Sequence, residues 1–377
     1  MPQLQASIII NNYNYAAYLE EAIDSALNQT YSAREVIVVD DGSSDSSREV
    51  LRRYENDVQV VLKENGGQAS AFNAGFEVSL GDVVFFLDAD DAFLPRLVEE
   101  AVALFRESEV VKVHWPLHII DATGKDTDEI LDPDLPEGDF RETVRRYGPM
   151  NELTWPSPPT SGNAYSRNFL RAVLPMPETP YRLYADAYLF GLAPAFGVLR
   201  RLQVPQALYR RHGSNAYDSR AGFAEKLAMG LSDFEQQAAF LARHYQRAGL
   251  PFETSVWRGR AWWPRIQESL DEIFAIAPPG EALILIDDDA WGTDDVIFGR
   301  PRFPFPERCG VSWGPPADDA EAVGELERLR EQGARYLVFA WPAFWWLECY
   351  ADFVAYCRQS FPCRLQNDRV LIYDLGA

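Results

Sequence analysis

An unbroken run of apolar residues, Val83 to Leu87, is followed at once by the aspartates Asp88, Asp90 and Asp91. Apolar residues without alternation are typical of a strand buried on both faces, as in a parallel sheet. Asp88 and Asp90 are two positions apart, so their side chains would point the same way from extended backbone. Such carboxylates suit Mg²⁺ or Mn²⁺, which also bind phosphate oxygens. The alternative is a solvated acidic loop at the end of a strand, and this stretch alone does not decide between the two.

The same order of apolar strand and polar turn occurs twice earlier in the chain. Residues 6–10 form a predicted strand that ends in Asn11–Asn14, and residues 35–39 form one that ends in Asp40–Asp45. Helical patterns separate these strands, which predicts a parallel sheet with right-handed crossovers. In such a sheet ligands bind beyond the carboxyl ends of the strands. All three polar turns lie at that edge, so we expect a binding site there.

Composition limits the classes of partner. The chain has 377 residues and a formal net charge of −22, which argues against nucleic acid as a partner. No apolar run approaches the roughly 18 residues needed to cross a bilayer, and no basic leader precedes an apolar stretch. The four cysteines match no zinc-ligand spacing, so reduced thiols are expected. We therefore expect a cytoplasmic protein, with peripheral attachment to the inner face of the membrane left open.

The first 220 or so positions resemble a family 2 glycosyltransferase of the GT-A fold. The likeness rests on Tyr13-Asn14 after the first strand, on Asp40–Asp45 after the second and on Asp88-Ala89-Asp90 after the fourth. The segment from Asn65 through Gly67 to Gly75 matches the family pattern as well. One departure is Phe72, where many relatives have a basic residue, which leaves open what besides a metal neutralises a diphosphate.

The resemblance implies a role for each matching residue. A nucleotide-diphosphate sugar, most simply a UDP-sugar, would be the donor, and Asp90 would bind a divalent Mn²⁺ or Mg²⁺ ion on its diphosphate. The implied donor-binding residues are Asn11, Tyr13, Asp40, Asp41, Gly67, Asp88, Arg210 and Arg211. Within this set Asn11, Tyr13, Asp40 and Asp41 would line the base and ribose pocket, and an arginine would meet phosphate.

Two later segments extend the likeness. Tyr181–Tyr188 resembles the stretch that supplies the catalytic base, which would be Asp186, and Tyr209–Asn215 resembles the stretch that closes over the diphosphate, where His212 would complete the metal sphere. Each residue also has an ordinary interpretation. An aspartate in an apolar helix is often a cap or a surface residue, and a single histidine is often a satisfied polar side chain.

The implied activity is metal-dependent, inverting transfer of a sugar to a hydroxyl of a saccharide or lipid-linked acceptor. One alternative is a non-catalytic nucleotide-sugar binder or assembly scaffold. Another is a nucleotidyltransferase, which usually has a glycine-rich, basic phosphate loop near the first strand. Asn11–Asn14 is neither glycine-rich nor basic. The donor sugar, the acceptor and the oligomeric state are not predicted.

The sequence predicts an α/β protein with a mostly parallel central sheet, helices on both faces, a helical extension and a second small α/β module. The predicted boundaries are residues 1–217 for the GT-A domain, 218–277 for the helical extension and 278–377 for the module. Asp287–Asp289 in the module mimics a metal site, but no histidine accompanies it. The aromatic residues from Trp341 to Trp346 suit either a core or a platform for a sugar or a partner.

Overall fold

The structure is a computed structural model. It describes residues 3–107, 109–151, 153–154, 157–213, 215, 222–291, 296–308, 311–312 and 314–376. The chain divides into two compact units, the first comprising residues 1–220 and 232–261 and the second residues 221–231 and 262–377.

The first unit contains two sheets and the helices that cover them. Its strands are β1 (Ala6–Asn12), β2 (Arg34–Asp40), β3 (Gln59–Leu62), β4 (Val83–Asp88), β5 (Ala92–Phe93), β6 (Val110–His114), β7 (Leu117–Asp121), β8 (Asp126–Leu131), β9 (Gly138–Asp139), β10 (Asn163–Ser166), β11 (Val198–Arg201) and β12 (Ala207–Arg211). Its helices are α1 (Ala16–Leu27), α2 (Ser47–Arg53), α3 (Gln68–Val78), α4 (Leu97–Leu104), α5 (Arg141–Tyr147), α6 (Arg167–Val173), α7 (Ala185–Leu192), the larger part of α8 (Phe223–Ala248) and α9 (Thr254–Arg258).

The main sheet has the strand order β3-β2-β1-β4-β10-β6-β11-β9. Strands β1 to β4 pair in parallel, as predicted, and the antiparallel β10 follows β4. Ile8, Ile10 and Phe85 lie on one face and are buried in a cluster with residues of α1 and α4. Helix α3 covers the opposite face, where Gly75 lies so close that a Cβ would overlap the Ile9 side chain. Helices on both faces bury the apolar strands and leave the polar turns at the carboxyl edge.

The second sheet of this unit has the order β5-β12-β7-β8. Strands β7 and β8 form an antiparallel hairpin, in which β7 is mostly buried and β8 is exposed. One local prediction is wrong. Ser46 and Glu49 suggest a capping box for α2, but the Ser46 side chain makes no capping bond. Asp45 accepts from Ser47 N instead, because a carboxylate one residue earlier already reaches that free amide.

The second unit is a smaller α/β module. Its strands are β13 (Ala282–Ile286), β14 (Val296–Ile297), β15 (Arg300–Phe303), β16 (Glu307–Arg308), β17 (Val311–Ser312), β18 (Ala334–Ala340), β19 (Cys363–Gln366) and β20 (Val370–Asp374). Its helices are the first turns of α8, α10 (Trp262–Ile276), α11 (Asp319–Glu331), α12 (Trp346–Cys349) and α13 (Ala351–Ser360). Six strands form one sheet in the order β14-β15-β13-β18-β20-β19.

The acidic triplet of this module is held by neighbouring side chains. Asp287 is buried and forms an ion pair with the buried Arg302, with 2.9 Å between Oδ1 and Nη2. Asp288 accepts hydrogen bonds from Nε1 of Trp345 at 2.5 Å and of Trp346 at 3.0 Å. These contacts give the first two carboxylates partners within the protein.

Across the described ranges, no helix combines the length and the apolar character that a membrane span requires.

Candidate functional site

The site begins at a cross-strand pair on β1 and β4. Parallel pairing sets Asn11 beside Asp88, and Asn11 Nδ2 donates to Asp88 Oδ1 at 2.7 Å. Gln68 Nε2, in the first turn of α3, donates to the same oxygen at 3.0 Å, and the Asp88 amide donates to Ser161 Oγ. Burial, together with the charge of Asp90, raises the pKa of Asp88 to about 7. The carboxyl ends of both strands thus place polar groups at one point, as the sequence predicts.

Asp90 and His212 lie together at this edge. His212 Nε2 is 3.0 Å from Asp90 Oδ2, and both side chains are nearly buried. The imidazole stacks on Tyr18 with a centroid separation of 5.1 Å and meets Tyr15 edge-on at 5.6 Å. Two residues at the start of the chain's first helix therefore hold the ring of His212, which comes far later in the chain, above the Asp90 carboxylate.

The donor set of this pair suits a divalent cation with oxygen ligands from a phosphate. Among the described residues, no group of three or more His, Cys, Asp or Glu side chains could hold a metal ion. The pair nevertheless lies beside two further aspartates, Asp88 and Asp91. Burial and the charges of Asp90 and Asp88 raise the pKa of the neighbouring Asp91 well above its ordinary value. A cation that completes its sphere with diphosphate oxygens fits these residues.

Asp91 has a structural role that the sequence analysis missed. It is buried, accepts from Ser161 Oγ at 2.6 Å through one oxygen and from the Arg210 amide at 2.9 Å through the other. It therefore joins the end of β4 to β12 and to the segment before β10. The sequence signal for this role was a third aspartate directly after Asp88 and Asp90. A buried carboxylate needs several hydrogen-bond donors, so such a residue is expected to join neighbouring segments.

The two arginines predicted to meet phosphate have partners within the protein. The Arg210 side chain is buried and bonds to Glu21, while Arg211 is exposed and pairs with Glu129 Oε2 at 2.9 Å. They point to opposite sides because successive residues of a strand alternate. Arg210 therefore lies beside the Asp90 main chain, and Arg211 lies on the β7–β8 hairpin side.

Asp41 organises the turn before α3. Its Oδ1 accepts from Lys63 Nζ at 2.5 Å and from the Gly66 amide at 2.9 Å, and its Oδ2 accepts from the Gly67 amide at 2.7 Å. Gly67 has a φ of 90°, and a Cβ there would overlap Arg182. Position 67 therefore requires glycine, both for its positive φ and for the lack of space beside Arg182.

The remaining residues of the predicted nucleotide pocket differ in exposure. Asp40 is buried and accepts from the Ser43 amide at 2.7 Å, so it stabilises the turn after β2. Tyr13 is 47% exposed. Of these residues Tyr13 is therefore the most accessible to a ligand from solvent, while Asn11 is half-buried and Asp41 is buried.

Asp186 lies in the first turn of α7, after Tyr184 in a left-handed conformation with φ 61°. Burial raises the pKa of Asp186 to about 6, although hydrogen bonds from Ala187 and Thr160 oppose the rise. Its charge in turn helps to raise the pKa of Asp88. A carboxyl group of this kind is suited to accept a proton near neutral pH.

Gln68 links the Asp88 carboxylate to the helix that carries Asp186. Its Nε2 donates to Asp88 and also to Thr160 Oγ1 at 3.1 Å, while its Oε1 accepts from the Ala185 amide at 2.9 Å. Gln68 lies within the segment from Asn65 to Gly75 that matches the family pattern, but the resemblance assigns it no role. An amide side chain that opens a helix beside a glycine turn was the available signal.

Lys112 was also missed. It lies on β6, is 1% exposed and donates from Nζ to Ser157 Oγ at 2.6 Å. Burial lowers its pKa to about 7, and the charges of Asp186 and Asp132 oppose that fall. Its ammonium lies 5.7 Å from the ring centroid of Phe190, one turn after Asp186 on α7. A lysine flanked by valines in a predicted strand was the sequence signal.

Comparisons with known proteins agree with this architecture. The model of the family Glycosyl transferase family 2 matches residues 7–168. An uncharacterised glycosyltransferase of Nostoc sp. is 35% identical over 318 residues, which cover 81% of this chain and 92% of that protein. That share of this chain is larger than the first unit, so the relationship extends into the second. An uncharacterised glycosyltransferase of Rickettsia prowazekii is 39% identical over 117 residues, or 30% of this chain and 37% of that protein.

Among solved structures, S. aureus TarS in complex with UDP-GlcNAc has a TM-score of 0.45 and 18% sequence identity, covering 64% of this chain and 73% of the TarS chain. That likeness is too distant for any comparison of residues. The chain belongs to glycosyl transferase family 2 and is a glycosyltransferase with the GT-A fold, which confirms the resemblance found in the sequence.

Proposed function

We propose that this glycosyltransferase transfers a sugar from a nucleotide-diphosphate sugar, most simply a UDP-sugar, to an acceptor hydroxyl with inversion at the anomeric carbon. The observation that carries the proposal is the convergence of Asp88, the Asp90–His212 pair and Asp186 at one edge of the main sheet. The acceptor class is a saccharide or a lipid-linked saccharide.

Donor binding would use the turn after each parallel strand. Asn11, Tyr13 and Asp41 border the proposed base and ribose pocket, and Asp40 and Gly67 hold the turns that form it. Asp88 would meet the ribose or the diphosphate. Its raised pKa supports this role, because a carboxyl that is protonated near neutral pH can donate a hydrogen bond to an oxygen ligand.

Asp90 and His212 would hold a divalent Mn²⁺ or Mg²⁺ ion with the donor diphosphate. When bound, that ion would supply Lewis-acid stabilisation of the charge that develops on the leaving diphosphate. The protein contributes the fixed geometry of the pair, because His212 is held by Tyr18 and Tyr15. Arg210 and Arg211 remain the predicted phosphate contacts of the sequence analysis, but their present partners do not favour that role.

Asp186 would be the general base. It would accept the proton of the acceptor hydroxyl while that oxygen attacks the anomeric carbon from the face opposite the leaving group. A single displacement of this kind inverts the configuration. The position of Asp186 at the start of α7, joined through Gln68 to Asp88, supports a base on the acceptor side of the donor.

Two measurements test the proposal. Calorimetric titration of UDP into the full-length protein, in EDTA and in Mn²⁺, should show markedly tighter binding with the metal. Incubation with a panel of nucleotide sugars should then show slow, metal-dependent hydrolysis of one donor, with water as the acceptor. Equal UDP affinity in both buffers would contradict metal dependence. Tight binding without any turnover across donors and saccharide acceptors would favour the non-catalytic binder instead.

A further inference from the structure

Arg210 is a buried cation whose partners surround the Asp90–His212 pair. Its side chain is 1% exposed. Its Nε donates to the Asp90 carbonyl oxygen at 2.9 Å, and its own amide donates to Asp91 Oδ1 at 2.9 Å. Its Nη2 forms an ion pair with Glu21 Oε2 at 2.5 Å. Arg210 therefore contacts the segment that carries Asp90 without presenting its charge to solvent.

The same arginine reaches His212 through an aromatic ring. Its guanidinium carbon is 4.9 Å from the ring centroid of Tyr18, and the Tyr18 ring is stacked on the His212 imidazole at 5.1 Å with 27° between the planes. Tyr18 and Glu21 are three residues apart on α1, so they share one face of that helix. One face of α1 thus supplies both the counter-charge of Arg210 and the surface on which His212 rests.

The main chain between the two residues is also fixed. Asn215 Nδ2 donates to the Arg210 carbonyl oxygen at 2.6 Å, and the His212 amide donates to Asn215 Oδ1 at 2.9 Å. Asn215 therefore joins the Arg210 carbonyl oxygen to the His212 amide. The contacts of Arg210 thus reach Asp90, Asp91 and His212, while its Nη1 also donates to the Asp121 carbonyl oxygen on β7 at 3.4 Å.

We propose that Arg210, Glu21, Tyr18 and Asn215 form a positioning cluster that holds His212 over Asp90, and that Arg210 sets metal affinity without contacting the donor phosphates. The proposal rests on the metal-dependent function proposed above. It assigns Arg210 a role different from the phosphate contact that its sequence context implies. Groups that orient a metal ligand typically change metal affinity by about 10- to 100-fold when they are removed.

The test measures UDP affinity of full-length variants by calorimetry, in EDTA and in saturating Mn²⁺, and Mn²⁺ binding by electron paramagnetic resonance in the presence of UDP. Arg210→Met should weaken Mn²⁺ binding by about 10-fold or more, while UDP affinity in EDTA stays at the wild-type value. Arg200→Met is the matched control, because that arginine lies on β11, pairs with Glu107 and is not among the predicted donor-binding residues. The control should bind Mn²⁺ and UDP like wild type.

Two further variants keep the test valid if Arg210→Met does not fold. Glu21→Gln removes the counter-charge from a residue that is itself well exposed, and Tyr18→Leu removes the stacking surface. Both variants should weaken Mn²⁺ binding, as Arg210→Met does. Arg210→Lys keeps a positive charge at this position and should bind Mn²⁺ more tightly than Arg210→Met.

The possible results distinguish the positioning role of Arg210 from a phosphate contact, and both from a failure of the proposed metal dependence. If Arg210→Met loses UDP affinity in EDTA but binds Mn²⁺ normally, Arg210 is a phosphate ligand and the positioning role is wrong. If wild type gains affinity with Mn²⁺ and the Arg210, Glu21 and Tyr18 variants gain it equally, the cluster has no such role although the proposed function stands. If wild type shows no effect of Mn²⁺, the metal-dependent function itself is contradicted.

Discussion

Lys63 Nζ lies 2.5 Å from Asp41 Oδ1, and the same carboxylate accepts the amides of Gly66 and Gly67. A residue of the predicted nucleotide pocket therefore also fixes the turn that begins α3. The lysine balances the charge of Asp41 at that turn. Because the carboxylate accepts three hydrogen bonds, its removal would disturb both the pocket wall and the turn.

We expect Asp41→Asn to weaken UDP binding by about 10-fold or more, since one lost charge-assisted hydrogen bond contributes roughly 1.5–3 kcal/mol. Calorimetry in Mn²⁺ measures the effect. Glu64→Gln changes an exposed carboxylate beside Lys63 and serves as the control. Wild-type affinity in Asp41→Asn would show that the turn and the pocket do not depend on this carboxylate.

Asp186→Asn keeps the shape of the side chain but cannot accept a proton. Donor and metal affinity should survive, while donor hydrolysis or transfer falls about 10²- to 10⁴-fold, the usual contribution of a general base. Asp352, exposed in the first turn of α13, offers a matched control as Asp352→Asn. Unchanged turnover in Asp186→Asn would assign the base to another residue.

The pKa of Asp186 also predicts a dependence of stability on pH. The folded-state pKa, about 6, is above the ordinary value of 3.8. Folding therefore favours the protonated carboxyl, so its stabilising contribution is present at pH 4 and is lost as the pH rises through 6. Asp186→Asn should raise Tm at pH 8 by a few degrees, since about 1 kcal/mol shifts Tm by roughly 2–4 °C in a domain of this size. At pH 4 the two Tm values should agree, and a difference of equal size at both pH values would contradict the assignment.

Lys112 provides a second test of the base. Its positive charge favours the ionised form of Asp186, so Lys112→Met should raise the pKa of Asp186 and shift the acidic limb of the rate profile from about pH 6 to higher pH. A plot of kcat/KM against pH for donor hydrolysis measures that limb. Lys125→Met, an exposed lysine on the β7–β8 turn, is the control. An unmoved limb would show that Lys112 does not act on the base.

In the second unit, Arg302→Leu should leave Asp287 buried without its ion-pair partner and reduce the free energy of unfolding by about 3–5 kcal/mol. Donor affinity should not change, because every predicted donor-binding residue lies in the first unit. Arg364→Leu is the control, since its pair with Asp374 involves a largely exposed arginine and should contribute about 1 kcal/mol or less. Loss of UDP affinity in folded Arg302→Leu protein would connect this unit to donor binding.

The sequence predicted the parallel strands and the polar edge because those signals are local. An unbroken apolar run followed by aspartates occurs at β4. In its partner strand β1, an apolar run is likewise followed by a polar residue, Asn11. Strand β10 was not predicted, because a short antiparallel strand inside the sheet depends on pairing with residues far away in sequence. The pattern of residues 343–359 alone predicts one helix, but the segment forms two, α12 and α13, because Tyr350 leaves the helical conformation with ψ 61°.

The arginines of β12 show what local sequence could not decide. Alternation along a strand means that only one of Arg210 and Arg211 can face inward. Which of them does so is set by the register with β7, where Arg210 pairs with Ile120 and Arg211 with Asp121. That register is a long-range property. The partners of Lys63 and Gln68 were hidden for the same reason, since their contacts join segments distant in the chain.

Gln68 has a consequence for how such an enzyme can diverge. One amide side chain bonds to Asp88 on the donor side and to the first turn of the helix that carries Asp186. Under the proposed roles, a change of Gln68 that suits a new nucleotide sugar would also move the helix that carries Asp186, the proposed general base. Mutations that change donor preference and mutations that change acceptor preference should therefore show strong epistasis at this position, and the two specificities would be inherited as a pair.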